Sequence, residues 1–210
     1  MAFDFKKEYR EYYLPPQTPV IVVIPPMNYV AVRGKGNPND EDSEYRASIE
    51  LLYGIAFTIK MSKMSKMGDR RIDGYFDFVV PPLEGLWWSE TGEVDYGRKQ
   101  DFHFISMLRL PDFVTKEDFD WAVETATKKK KKDFSKAEFI HYEEGKSVQC
   151  MHVGSYDMEP ITIGKMKAFA AQEGLTIDLE GSRLHHEIYL SDPRKTSADK
   201  LKTVIRYPVK

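Results

Sequence analysis

Cysteine is almost absent from this chain of 210 residues, which contains only Cys150. A single thiol cannot form an intramolecular disulfide, so the composition favours a reducing compartment. One cysteine and five scattered histidines also lack the spacing of a zinc site, and we predict neither a metal nor a cofactor. Cys150 lies between Gln149 and Met151 in a strand-like run, a setting typical of a buried and unreactive thiol.

An excess of charge of either sign is absent too. The 31 basic and 33 acidic side chains leave a net charge of -2, which creates no field toward nucleic acid or anionic lipid. The apolar run Val20–Ile24 lies between prolines and is far shorter than the roughly twenty residues that span a bilayer. Residues 1–8 contain no apolar signal core. We therefore expect a cytoplasmic protein without direct nucleic-acid or membrane partners, whose oligomeric state the sequence does not predict.

The common catalytic and nucleotide-binding motifs are missing as well. The chain has no P-loop, no dinucleotide fingerprint and no G-x-S-x-G elbow. Residues 34–38 (GKGNP) are better interpreted as a turn that ends a strand. The lysine run 128–132 follows a helical pattern that begins at Thr115, with acidic residues in its first turns, as the helix dipole favours. Such a run is typical of a solvated helix end and not of a nucleic-acid surface.

Aromatic residues, in contrast, are abundant, with 12 Tyr, 12 Phe and 3 Trp. Most should build the core. Trp87 and Trp88 are adjacent in a segment with loop-like composition, so we expect one to enter the core and the other to border a surface or a cleft. Met61, Met64 and Met67 recur at a spacing of three after a helical pattern, which favours a frayed helix end over a ligand-facing lid.

A carboxylate interrupts an apolar strand pattern at residues 184–193 (LHHEIYLSDP). Side chains alternate faces along a strand, so His185, Glu187 and Tyr189 should share one face, and His186 should point to the other. A carboxylate held among aromatic neighbours is costly unless it is paired or used. Glu187 is therefore the first candidate for chemistry or for recognition of ligand charge.

Three roles for Glu187 stay open at this point. It could form a structural ion pair with Lys202 or Arg206, bind a cation, or act as a general base on a water, with its pKa raised by burial. Tyr142, Tyr189 or His186 could then supply the complementary proton. His185 and His186 alternate along the strand and cannot chelate one metal together.

The segment around Glu187 has a partner earlier in the chain. Residues 74–82 can be laid over residues 184–193, which places Asp77 on Glu187. The strand patterns 29–36 and 102–111 likewise match 148–155 and 201–208. Helical patterns over 43–60 and 159–173 follow the first strand of each copy. The repeated unit is β-α-β-β, although the match is weak at the residue level and could be a coincidence of composition.

We predict an α+β fold of two such repeats with pseudo-twofold symmetry. It has an antiparallel sheet, helices on one side and a cleft between the halves, where small-ligand sites are common. Residues 1–26, rich in proline, should form an N-terminal extended arm. The domain then covers 27–210, and it divides into repeat one (about 27–132), a linker (about 133–147) and repeat two (about 148–210).

The C-terminal segments HHEIYLSDP and ADKLKTVIRYPV resemble the signature of the GyrI-like small-molecule-binding family, and the resemblance covers about residues 27–210. In that family a strand carboxylate lies in the cleft between the halves, and Glu187 matches it. Many relatives are fused to DNA-binding domains, and we expect no such domain within these 210 residues. The motif PPLEGLWW and an aromatic linker resemble the standalone members described as cyclopropanoid cyclopropyl hydrolases, which open the strained ring of DNA-alkylating natural products.

The resemblance implies a cleft that binds bulky, flat, hydrophobic molecules, in which Glu187 activates a water. We expect Glu187 and Tyr142 to be catalytic. The residues expected to contact the ligand are Trp87, Trp88, His186, Tyr189, Phe104 and Trp121. The alternative is a protein that binds or sequesters amphipathic or cationic drugs without turnover. Interaction with a protein target such as a topoisomerase is a third possibility, which no exposed apolar helix supports.

Overall fold

The computed structural model describes residues 2–63, 70–90 and 94–210. Two of the three spaced methionines, Met64 and Met67, fall outside these ranges. The strands are β1 (Val20–Ile24), β2 (Met27–Lys35), β3 (Leu83–Ser89), β4 (Phe102–Arg109), β5 (Ala137–Tyr142), β6 (Gly145–Val153), β7 (His185–Tyr189) and β8 (Lys202–Pro208). The helices are α1 (Phe5–Glu8), α2 (Arg10–Tyr13), α3 (Glu44–Lys60), α4 (Lys116–Lys130) and α5 (Glu159–Gln172).

All eight strands belong to one antiparallel sheet in the order β1-β6-β8-β7-β3-β4-β2-β5. The first half of the chain contributes β2-α3-β3-β4 and the second contributes β6-α5-β7-β8. Outward from the centre of the sheet, the first half has the order β3-β4-β2 and the second half has the matching order β7-β8-β6, and the two halves meet at the pair β3–β7. The predicted α+β fold of two β-α-β-β repeats is therefore confirmed.

The strand of the first repeat that corresponds to β7 is β3, and not residues 74–82, which the sequence comparison matched to it. Within residues 74–82 only Phe78 forms a bridge, an isolated one with Phe3, and Asp77 is an exposed residue that pairs with Lys63 at 3.0 Å. The placement of Asp77 on Glu187 was wrong. Pro81 and Pro82 have no N–H to donate to a ladder, so regular pairing starts after them, at the first residue of β3.

The N-terminal segment is not a simple extended arm. It contains α1, α2 and β1, and it covers the face of the sheet opposite α3 and α5. The side chain of Gln149 donates to the carbonyl of Glu11 at 2.6 Å, and the backbone N–H of Met151 donates to Pro16 at 2.9 Å. The segment predicted as a linker likewise contains β5. Each of these two leading strands pairs with the opposite half, β1 with β6 and β5 with β2.

Helices α3 and α5 cover one face of the sheet and leave its centre between them. The side chain of Ser43 caps α3, and the apolar stripe of this helix packs over Val30 and Val32. Helix α5 packs over Val148 and Cys150 in a separate cluster. Cys150 is buried, and burial raises the pKa of its thiol. Among the described residues, no helix has the length and apolar content needed to cross a membrane.

Candidate active site

Glu187 lies at the centre of the sheet, on the face that α3 and α5 flank. Residues directly opposite one another on neighbouring strands share a face. One such row runs under both helices, through Val32, Ser106, Gly85, Glu187, Ile205 and Cys150. Its ends belong to the clusters under α3 and α5, so its middle lies in the gap between the two helices. The fold thereby holds Glu187 between the two repeats.

Both oxygens of Glu187 accept short hydrogen bonds from its own strand. Nε2 of His185 lies 2.7 Å from Oε1, and the hydroxyl of Tyr189 donates to Oε2 at 2.7 Å. An ionised carboxylate can only accept, so we assign the hydrogen to Nε2 of His185. The predicted shared face of these three residues is confirmed. Glu187 itself is only 7% exposed.

A second carboxylate, Glu159, faces the same site, and the sequence interpretation missed it. Glu159 is the first residue of α5 and is 0% exposed. Its Oε2 accepts a hydrogen bond from the hydroxyl of Tyr96 at 2.9 Å, and within the described part of the chain no donor reaches its Oε1. One signal could have identified it. Glu159 precedes the buried Ile163 by four residues and Met166 by seven, so it falls on the inner stripe of the helix.

The two carboxylates have opposite pKa shifts. Burial opposes ionisation of Glu187, but hydrogen bonds from His185 and Tyr189 outweigh it, and the pKa of Glu187 lies below its usual value. Burial and then the charge of Glu187 raise the pKa of Glu159 well above its usual value. The rise in pKa that burial was expected to cause at Glu187 therefore occurs at Glu159. The site therefore combines a carboxyl group whose ionisation is favoured with one whose ionisation is disfavoured.

Aromatic rings enclose the carboxylates. The indole N–H of Trp87 donates to the Tyr189 hydroxyl at 2.8 Å, which gives a continuous path from Trp87 through Tyr189 to Glu187. Tyr45 and Phe104 lie 5.2 and 5.6 Å from the Trp87 ring, centroid to centroid. We call the following residues the aromatic enclosure: Tyr45, Trp87, Tyr96, Phe102, Phe104, Tyr156 and Tyr189. Four of them are partly exposed, namely Tyr45, Tyr96, Tyr156 and Tyr189. We call Tyr45, Tyr96 and Tyr156, which do not hydrogen-bond to Glu187, the solvent side of the enclosure.

Gly85 makes room for this path. It lies opposite Glu187 on β3, and a Cβ atom there would be 2.6 Å from Nε1 of Trp87 and 3.2 Å from the Tyr189 hydroxyl. A side chain at this position would push apart the two groups that hydrogen-bond. The glycine therefore has a packing role in the site.

Glu159, His185 and Glu187 each present an atom of a kind that can bind metals, and these atoms lie within 4.8 Å of one another. The imidazole nitrogen, however, lies 2.7 Å from Oε1 of Glu187 and donates its hydrogen to it, and tyrosine hydroxyls donate to Oε2 of Glu187 and to Oε2 of Glu159. Coordination of a metal would require the His185 bond to break. The observed contacts are those of two carboxyl groups that accept hydrogen bonds, and not those of a metal site.

His186 does not reach this site. It lies on the opposite face with 0% exposure, where its ring nitrogens contact Glu144 and Glu84, each at 3.0 Å. Burial opposes its charge, but these carboxylates, Glu144 first, raise the pKa of His186 to about 9. Arg206 also contacts Glu144, at 3.1 Å, so the ion pair between Glu187 and Arg206, one of the alternatives considered above, does not form. His186 is one member of a buried charge network and is not placed to contact a ligand at Glu187.

Trp88 and Tyr142 also lie on the opposite face. They line an open groove of about 740 Å³ together with Leu86, Ile105 and Leu184. Trp88 stacks on His103 with the ring centroids 5.4 Å apart. The sheet therefore separates Tyr142 from Glu187, contrary to the expectation that both act in one site. Trp121, on α4, packs at the margin of the core beside α3 and does not join the aromatic enclosure.

Comparison with known proteins places the chain among small-molecule binders. The model of the family described as GyrI-like small molecule binding domain matches residues 17–210, which includes β1 as well as both repeats. An uncharacterized conserved protein from Listeria innocua has 49% sequence identity and a TM-score of 0.91, with 100% of each chain covered. A Listeria innocua protein named as a hydrolase has 48% identity and a TM-score of 0.90, again with 100% of each chain covered.

A more distant structure shares the fold alone. The C-terminal domain of EcmrR has 14% identity and a TM-score of 0.56, over 92% of this chain and 97% of that chain. No curated protein matches the chain.

Proposed function

Since the chain belongs to the GyrI-like small-molecule-binding family, we propose that its aromatic enclosure binds bulky, flat, hydrophobic molecules and that Glu187 activates a water against them. The proposed substrates are cyclopropanoid DNA-alkylating compounds, whose strained ring the water opens. The observation that carries the proposal is an ionised carboxylate held in a buried site among aromatic rings. The similarity to a Listeria innocua protein named as a hydrolase supports turnover.

Binding follows from the shape and chemistry of the enclosure. Flat polycycles bury large apolar areas and stack favourably against aromatic side chains. Trp87 supplies the largest of the rings, and Tyr45 lies against it. Glu187 is nearly inaccessible, so a ligand must displace the rings on the solvent side before it reaches the carboxylate. Ligand binding should therefore reorient Tyr45, Tyr96 or Tyr156.

The ring-opening step uses groups that the site contains. Glu187 removes a proton from water as the water oxygen bonds to the cyclopropane methylene carbon. The carbon–carbon bond of the strained ring breaks, and its electron pair moves into the conjugated dienone, which becomes a phenolate. A tyrosine hydroxyl on the solvent side of the enclosure stabilises the oxygen where this charge develops. A depressed pKa makes Glu187 a weak base, and relief of ring strain offsets this weakness.

A second candidate function is binding without turnover. A negative charge surrounded by aromatic faces also suits an amphipathic cation, since both the carboxylate and the rings attract it. The same enclosure would then sequester cationic drugs.

Product analysis separates the two functions. The protein is incubated with an excess of a cyclopropane-bearing alkylator, and the water adduct is followed by mass spectrometry. An enzyme forms many equivalents of product per protein. Protection that stops at one equivalent, with the compound recovered intact after denaturation, would rule out turnover and leave sequestration.

A further inference from the structure

Two buried carboxylates lie together in the aromatic enclosure, and one of their oxygens receives no hydrogen bond from the part of the chain that the structure describes. Oε1 of Glu159 is fully buried and, among the described residues, accepts no hydrogen bond from a neighbouring donor. The carboxylate of Glu187 lies beside it, and Glu159 can form a hydrogen bond with Glu187 if one of the two is protonated. The oxygens that the two residues present lie within 4.8 Å of each other.

Among the described residues, the surroundings of the pair supply hydrogen-bond donors but no lysine or arginine. In the described part of the chain, no lysine or arginine forms a salt bridge with either carboxylate, and the one partner of that kind is His185. The titratable and charged groups that face the pair come from α3, the segment before β4, the turn before α5, and β7. They are Tyr45, Tyr96, Tyr156, Asp157, His185 and Tyr189. Asp157 adds a further negative charge, which Lys99 pairs at 2.6 Å.

Two anions at this separation in a buried site repel each other strongly, and a shared proton removes the repulsion. We propose that Glu159 and Glu187 share one proton, and that an aromatic cation expels this proton when it binds whereas a neutral aromatic ligand leaves it in place. A cation bound beside the pair compensates the second negative charge, as the shared proton does when no cation is bound. The inference rests on the proposed ligand-binding role of the enclosure and adds Glu159 as the residue that couples ligand charge to proton release.

The pair also accounts for the orphan oxygen. A hydrogen on one carboxyl group bonds to the other, so Oε1 of Glu159 is satisfied without water or metal. The Tyr96 hydroxyl holds the other oxygen of Glu159, and His185 and Tyr189 hold Glu187. Every polar atom of the pair then has a partner within the enclosure.

Calorimetry with a matched pair of ligands tests the coupling. N-methylquinolinium is the cationic probe, and 1-methylnaphthalene is its neutral counterpart of the same shape. Each is titrated into the wild-type protein at pH 7.5 in phosphate and in Tris, two buffers with very different ionisation enthalpies. We expect the heat of N-methylquinolinium binding to differ between the buffers by the amount that corresponds to release of nearly one proton. The heat of 1-methylnaphthalene binding should be the same in both buffers.

Glu159→Gln is the diagnostic variant, because its amide can still donate to Glu187 but has no proton to release. It should bind the neutral probe as wild type does and show no buffer dependence with the cation. Tyr96→Phe is the matched control, which removes a donor to Glu159 but keeps both carboxyl groups, so proton release should persist. Cation binding without buffer dependence in the wild type, or with undiminished dependence in Glu159→Gln, would overturn the proposal.

Infrared spectroscopy of the ligand-free protein gives a test that needs neither probe. A buried protonated carboxyl group has a C=O stretch separate from that of carboxylates, and Glu159→Gln should remove it. Absence of this band in the wild type at neutral pH would refute the shared proton even if neither ligand binds. Neither measurement involves turnover, so a protein that binds but does not hydrolyse would contradict the proposed hydrolase activity and leave this inference standing.

Discussion

The ionisation of Glu187 depends on two hydrogen bonds that it accepts, one from Nε2 of His185 and one from the hydroxyl of Tyr189. Charge-assisted hydrogen bonds of this kind stabilise the anion against the cost of burial. Tyr189 has a second function, because its oxygen accepts the indole N–H of Trp87. One hydroxyl therefore links the largest ring of the enclosure to the carboxylate.

The Tyr189→Phe variant tests this link. It removes one donor, so the pKa of Glu187 should rise from its depressed value toward the ordinary 4.5. The acid limb of the pH–rate profile should move to higher pH accordingly. The buried N–H of Trp87 also loses its acceptor, which should lower the free energy of unfolding by about 1–3 kcal/mol. Tyr142→Phe, on the opposite face, is the control and should change neither quantity. An unmoved acid limb in Tyr189→Phe would show that this hydroxyl does not tune Glu187.

Sequence reasoning at this scale succeeded for Glu187 and failed for Glu159. Glu187 stands out because it interrupts an apolar strand. Glu159 begins a helix, where an acidic residue is expected to complement the dipole, and this ordinary role concealed its place on the buried stripe. Tyr142 was assigned to the wrong site because the face that a strand presents depends on its register with distant partners, which one sequence does not specify.

Strand β3 contributes tryptophan side chains to both faces of the sheet. Trp87 contributes to the aromatic enclosure, whereas its neighbour Trp88 lines the groove on the other side. Proline and glycine made this segment resemble a loop in the sequence. Gly85, however, lies inside the strand because the contact between Trp87 and Tyr189 occupies the space of a side chain. Gly85, which the site requires, therefore made the strand difficult to recognise in the sequence.

Glycine-to-alanine substitutions at two positions test this packing role. Gly85→Ala should lower the free energy of unfolding by about 1–3 kcal/mol, since the new methyl group overlaps the Trp87 indole. Gly164→Ala, in α5, adds a methyl group that meets nothing within 4 Å and should stabilise the protein by about 0.5–1 kcal/mol. Both values can be obtained from urea unfolding. Equal effects of the two substitutions would mean that Gly85 is not constrained by the site.

Fluorescence distinguishes the two faces of β3. A flat aromatic ligand in the enclosure should quench Trp87, so Trp88→Phe should retain saturable quenching and Trp87→Phe should lose most of it. The opposite result would place the ligand in the groove that Trp88 lines, on the far side of the sheet from Glu187.

At the scale of the whole molecule, buried charges tie the halves and the N-terminal segment together on the face opposite the site. Glu84 comes from the first repeat, and His186 and Arg206 come from the second. Arg206 also donates to the carbonyl of Tyr12, and the Tyr13 hydroxyl contacts Glu84 at 3.4 Å. The matching strand and helix patterns of the two halves predicted the repeat architecture. The contacts of this charge network, in contrast, join residues far apart in the chain, so no local sequence pattern indicated them.

The network predicts a pH dependence of stability. The pKa of His186 rises from 6.5 to about 9 on folding, so its contribution is complete below pH 6.5 and is lost as the pH rises through 9. The loss should be on the order of 3 kcal/mol. The pKa of Glu144 falls from 4.5 to about 2, so its contribution is complete above pH 4.5 and is lost as the pH falls through 2. Urea unfolding at pH 6 and pH 9.5 measures the alkaline limb.

The His186→Gln variant provides the control for that limb. It cannot carry the charge, so its free energy of unfolding should be lower than that of wild type at pH 6 and should change little between pH 6 and pH 9.5. A variant that retains the wild-type alkaline limb would show that another group is responsible.

Turnover by Glu187→Gln tests the central claim of a catalytic Glu187 most directly. Glutamine keeps the shape of the side chain and can still hydrogen-bond, but it cannot accept a proton from water. With a cyclopropane-bearing alkylator as substrate, the rate of water-adduct formation should fall by about 10²–10⁴-fold. Binding of a neutral polycycle should stay close to that of wild type, and the Tyr142→Phe control should turn over normally. A Glu187→Gln protein that forms the adduct at nearly the wild-type rate would contradict the account.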